Sequence, residues 1–175
     1  MKDLPIAALL SPLLFAQGRW VRATIPDLPE AQGVRSGSFG NVKSGSVDSD
    51  LSILILGDSA AAGVGVVDQK QALSGQLVHQ LAQAMDNKAS TRVDWTLIAK
   101  KGATTANVLS WVPTLERRVY DVIVVSLGVN DVTGGVTKKQ WLKQQKVLVA
   151  ELTSRFSPIQ IILSKVPPMG TAVPQ

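Results

Sequence analysis

The chain has no cysteine and a single histidine among its 175 residues. Without thiols there is neither a disulfide framework nor a thiolate metal site. One histidine and no clustered carboxylates argue against a zinc centre or a two-metal centre. No long apolar run is present either. The apolar stretch 4–16 is only 13 residues, interrupted by Pro5 and Pro12, and is too short to span a bilayer as a helix. Aromatic residues interleaved with basic ones are missing, as is any recognition-helix pattern, so nothing points to a nucleic-acid partner. No internal repeat is visible.

What remains is the composition of one globular domain. The chain is 45% hydrophobic and 18% charged, and long enough to bury a single core. Its net charge is +5, but the basic residues are scattered. The densest set is Lys138, Lys139, Lys143 and Lys146. On a helix over 137–156, Trp141, Leu148, Leu152 and Phe156 fall on one side and Lys139, Lys143 and Lys146 largely opposite. That is a helix packed on a sheet, its basic face in water. Weak attraction to anionic lipid is the other reading.

The strongest signal lies in residues 51–66, LSILILGDSAAAGVGV. An almost wholly apolar run stops at Gly57-Asp58-Ser59 and continues in small residues. Such a run reads as a strand buried on both faces of a parallel sheet. The carboxyl ends of such strands are where open α/β sheets place their ligands. A serine there, flanked by glycine and alanine, leaves its hydroxyl open to a substrate. Two further segments repeat the pattern: a strand over 93–99 runs into Gly102, and a strand over 121–127 runs into Gly128-Val129-Asn130-Asp131.

These three blocks, in this order, resemble the SGNH (GDSL-type) hydrolase family of esterases and lipases over residues 51–170. The resemblance implies a three-layer α/β/α fold with a flavodoxin-like parallel sheet in the order 2-1-3-4-5. The first strand then lies between the second and third, so Ser59, Gly102 and Asn130 emerge from three adjacent strand ends. It also implies a serine esterase. Ser59 is the nucleophile, and the N–H groups of Ser59 and Gly102 with the Asn130 amide form the oxyanion hole. Asp58 and Asp131 are expected to brace their loops. No cofactor is implied, and the partner is a small-molecule ester such as a lipid or an acetylated sugar.

The family's Asp-x-x-His block is absent, since no histidine follows His79. In a helix over 70–87 with Leu73, Leu77, Leu81 and Met85 buried, His79 faces the opposite way. It also lies about 13 Å down the axis from the helix start, at 1.5 Å per residue. A helix over 104–118, kinked or divided at Pro113, and a fourth strand over 159–163 complete the reading. That strand is an exposed apolar edge, and the expectation is a domain that lacks its last strand and helix. Two functional classes therefore stand side by side: a serine esterase, and a non-catalytic relative that binds an acyl or acetyl group. A nucleotide-binding domain is a weaker third, because neither G-x-G-x-x-G nor G-K-[ST] occurs.

Ahead of the domain, residues 1–31 read as an apolar and amphipathic segment. Arg19, Trp20 and Arg22 give it an interface-seeking edge, and Ala16-Gln17-Gly18 loosely mimics a signal-peptide cleavage site. Three readings follow: a docked or membrane-surface helix, a signal sequence, or neither. Cytoplasmic or membrane-surface localisation is favoured over secretion. Residues 32–50, rich in Gly and Ser, read as a flexible connector, and residues 51–175 as the hydrolase-like domain.

Overall fold

The structure is a computed structural model that describes residues 12, 13, 16–21, 24, 26–40, 51–85 and 92–166. Five strands form one sheet: β1 (Ser36–Phe39), β2 (Leu51–Gly57), β3 (Val93–Ala99), β4 (Val122–Ser126) and β5 (Gln160–Leu163). Their spatial order is β1-β3-β2-β4-β5. The last four are parallel to their neighbours, and β1 adds antiparallel to β3. The parallel part therefore has the expected order, with β2 between β3 and β4.

Alternation along the strands builds two cores. In β2, Leu54 and Leu56 point to one face, while Ile53 and Ile55 point to the other, as a period of two requires. Helix α2 (Leu73–Met85) covers the second face through Leu73, Leu77, Val78, Leu81 and Met85. Helices α3 (Thr105–Trp111) and α5 (Lys138–Phe156) cover the first through Val108, Leu148, Leu152 and Phe156. Helices on both faces make three layers, as right-handed crossovers dictate. Two short helices, α1 (Ser59–Ala62) and α4 (Val129–Thr133), follow β2 and β4 directly.

Helix α5 buries Leu148, Leu152 and Phe156 of the expected stripe, half-buries Trp141, and leaves Lys138, Lys139, Lys143 and Lys146 exposed. It also buries Gln145, which the pattern alone did not single out. Helix α3 ends at Trp111, and Pro113 lies in a following 3-10 turn (Val112–Thr114). The proline thus divides the expected helix rather than kinking it, its missing N–H falling where α3 has ended.

One expectation needs correction. Part of the segment read as a flexible connector is structured: residues 36–39 are a strand, paired Ser36 with Thr96 through Phe39 with Val93. Ser36, Gly37 and Ser38 are exposed, so this edge strand carries no apolar alternation. Gly37 lies over the Trp95 indole, whose Nε1 would sit 3.2 Å from an added Cβ. Residues 41–50 lie outside the described residues, as do residues 1–11. The described residues of 12–24 are helical and exposed, Trp20 included. Among the described residues, no helix is long and apolar enough to cross a membrane. Strand β5 is the expected apolar edge, with Ile162 and Leu163 nearly half exposed.

Candidate active site

The register sets three chain segments side by side at the carboxyl edge of the sheet. Gly57, the last residue of β2, pairs with Ala99 of β3 on one side and Ser126 of β4 on the other. The pairing continues past the strands: Lys100 N–H donates to Gly57 O at 3.2 Å, and Asp58 N–H to Ser126 O at 3.1 Å. Ser59, Gly102 and Asn130 follow within a few residues of these bonds. Neighbouring strands lie about 4.8 Å apart, so the three segments leave the sheet side by side.

Ser59 is the first residue of α1 and half-buried. Its N–H belongs to the group that a helix start leaves without an intrahelical acceptor. The next N–H, of Ala60, is taken by the Asp58 carboxylate at 3.0 Å. Gly57 is glycine for want of space, since an added Cβ would lie 2.3 Å from the Ala61 Cβ. That closeness lets α1 turn sharply off the strand and stand the serine at its tip. Asp58 is buried, and this desolvation raises its pKa, partly offset by the Ala60 N–H. It caps the helix and braces the loop, as expected.

Gly102 adopts φ +75°, and nothing lies within 4 Å of where its Cβ would be. Its glycine is therefore demanded by backbone conformation, and the space above it is open. Lys100, Lys101 and Ala103 all donate their N–H groups, to Gly57 O, Glu30 Oε1 and Lys100 O. Among the described residues, the Gly102 N–H has no acceptor. Asn130 sits in α4, half-buried, and its Nδ2 donates to Ala103 O at 2.9 Å. One amide hydrogen thus ties it to the Gly102 loop, which leaves the other for a ligand.

Asp131, almost fully buried, accepts from the Thr105 N–H at 3.1 Å and from Thr105 Oγ1 at 2.8 Å. Thr105 Oγ1 accepts in turn from Gln145 Nε2 at 2.9 Å. This chain of bonds ties α4 to the start of α3 and to α5. Asp131 is a brace, as the sequence suggested; its partners Thr105 and Gln145 had no local signal. His79 is exposed and hydrogen-bonded to Gln83 at 3.1 Å. It is on the solvent side of α2, away from the strand ends. Among the described residues, no group of His, Cys, Asp or Glu is arranged to hold a metal ion.

The same architecture is found in known proteins. Residues 55–175 match the GDSL-like Lipase/Acylhydrolase family. The chain belongs to that family. Among solved structures, TesA is similar at 25% identity and a TM-score of 0.54, over 67% of this chain and 62% of its own. AlinE4, an SGNH-hydrolase family esterase, gives 24% and 0.54, over 70% of this chain and 64% of its own. This GDSL-family chain thus spans under two thirds of the length of either. No curated protein matches.

Proposed function

We propose that this GDSL-family chain carries the nucleophile and oxyanion hole of a serine esterase acting on small carboxylic esters. The observation that carries the reading is the Gly102 N–H, which has no acceptor among the described residues and lies in an open turn of the loop to which the Asn130 amide is tethered. Ser59 Oγ attacks the ester carbonyl carbon, and the carbonyl π electrons move onto oxygen. The resulting oxyanion accepts from the Ser59 and Gly102 N–H groups and from Asn130 Nδ2. Collapse of the tetrahedral species breaks the bond to the alcohol oxygen, which takes up a proton, and leaves an acyl group on Ser59. Water then releases the acid. Preorganised donors of this kind are each worth a few kcal/mol of transition-state stabilisation.

Attack requires that the Ser59 proton go to a base. His79 is out of reach on geometry, and its exposure supports a second reading: a relative that keeps the pocket to bind an acyl or acetyl group. Even so, an oxyanion hole and binding alone can leave about 10³–10⁴-fold acceleration over water. The two readings part on Ser59→Ala. In the esterase reading this change abolishes hydrolysis of short aryl esters above background and prevents labelling by a fluorophosphonate probe. Turnover unchanged in the variant, or labelling at another serine, contradicts the esterase.

The N-terminal segment remains a candidate for weak membrane-surface association, supported by exposed Trp20 beside Arg19. Cosedimentation with anionic vesicles, lost on Trp20→Ser, tests this.

A further inference from the structure

A short segment ahead of the sheet grips the loop that carries Gly102. Glu30 Oε1 accepts from the Lys101 N–H at 2.6 Å, and Glu30 Oε2 accepts from Arg35 at 2.6 Å. Arg35 reaches on to the last carbonyl of β3, donating to Ala99 O at 2.7 Å. Lys101 Nζ donates back to Leu28 O at 2.9 Å and pairs with Asp27. The grip therefore holds the first half of the loop, from Ala99 to Lys101. The segment is itself anchored: Ala31 is buried, its N–H donates to Ala62 O, and the buried Gln69 amide donates to Ala31 O.

We infer that Glu30 is a positioning residue for the oxyanion donor at Gly102, acting through the Lys101 peptide. This rests on the proposed role of Gly102. The physical argument is one of competition between adjacent donors. Lys101 and Gly102 are the two central residues of the turn that the Ala103 N–H closes on Lys100 O at 3.1 Å, and this closure fixes the angle between their N–H vectors. Once the Glu30 carboxylate takes the first, the second is aimed elsewhere, into open space above the strand ends. A charged acceptor makes the stronger kind of hydrogen bond, and the arginine holds the carboxylate in register. Without Glu30, the Lys101 N–H is free to turn outward and the Gly102 N–H loses its fixed direction. Preorganisation is what makes such a donor effective, so the loss falls on oxyanion binding.

Phenylboronic acid provides a test that needs no turnover. Ser59 Oγ bonds to boron, the hydroxyl proton leaves to the buffer, and the boron becomes a tetrahedral anion with an oxygen in the oxyanion position. On the full 175-residue chain, followed by ¹⁵N-resolved amide spectra, binding shifts the Gly102 amide proton. Glu30→Ala weakens affinity about tenfold, one donor's worth of binding, and diminishes that shift. Glu30→Gln, whose Oε1 still accepts from Lys101, stays within about threefold of wild type. A melting curve on each variant fixes the folded fraction. If Glu30→Ala does not fold, the glutamine variant and its Gly102 signal decide. Wild-type affinity in Glu30→Ala, with binding abolished in Ser59→Ala, refutes the inference and leaves the serine assignment standing. Equal weakening in the alanine and glutamine variants also refutes it, since the acceptor is then not what matters. Binding that survives Ser59→Ala, or no binding at all, overturns the serine assignment itself.

Discussion

Replacing Asp131 with alanine separates a brace from a chemical group. The carboxylate is about 1% exposed and accepts both the N–H and the hydroxyl of Thr105, also fully buried. Alanine leaves those two donors without an acceptor. Each buried unsatisfied group costs about 1–3 kcal/mol, so the pair predicts a loss of about 3 kcal/mol, allowing the hydroxyl some freedom to turn. For a domain of this size, each kcal/mol moves Tm by about 2–4 °C, which gives a fall of about 6–12 °C. Asp131→Asn keeps one acceptor oxygen and should lose about half as much. The assay is urea unfolding at neutral pH and fixed protein concentration, followed by tryptophan fluorescence. A loss below about 1 kcal/mol for the alanine variant would refute the bracing role. Thr105 and Asp131 would then have other partners, or water in place of the lost carboxylate.

Three other expectations are independent of that one. Asn130→Ala should lower kcat for a short aryl ester by about 10²–10³ with KM nearly unchanged, because the amide acts on the transition state; a change confined to KM would assign it to substrate positioning. In acid, two of the three perturbed carboxylates, Glu30 and Asp58, oppose each other. Glu30, held below its ordinary value of 4.5 by the Lys101 N–H first and Arg35 after, contributes stability above that value and loses it as pH falls through its lowered pKa. Asp58, raised above 3.8 by burial, stabilises most below 3.8 and costs stability as pH rises through its raised pKa. Urea midpoints between pH 3 and 7 should therefore show Glu30→Gln with a shallower acid loss than wild type; an identical profile would contradict the Glu30 bond. Finally, Ile162→Lys on the outer strand β5 should reduce self-association in sedimentation velocity while changing stability by no more than about 0.5 kcal/mol; unchanged association would place the contact elsewhere.

How much of this was legible in the sequence follows from how local each signal is. The strand runs of β2, β3 and β4, the helix stripe of α5 and the exposure of His79 all depend on neighbours within a few residues. They matched the structure to within a residue or two at most ends. That Ser59, Gly102 and Asn130 lie past three adjacent strands was legible because each comes within a few residues of a buried strand and the family resemblance implied the order of those strands. Strand β1 was not legible. Its Ser-Gly-Ser core has loop composition, and what makes it a strand is backbone pairing with β3 and the Trp95 indole under Gly37. The Glu30–Lys101 bond spans 71 residues and the Thr105–Gln145 bond spans 40. No local pattern announces a partner at that distance.

The central claim is that Ser59 forms an acyl-enzyme, and the direct measurement is mass spectrometry of the chain after brief exposure to p-nitrophenyl acetate. Nitrophenolate is a far better leaving group than the serine alkoxide, so with His79 out of reach acylation outpaces release of the acetyl group by water, and the acyl-enzyme accumulates during slow turnover. The account predicts one acetyl group per chain, located by fragmentation on the peptide that contains Ser59 and absent from Ser59→Ala. Acetylation spread over lysines with Ser59 unmodified, or the same labelling in the Ser59→Ala variant, would contradict it.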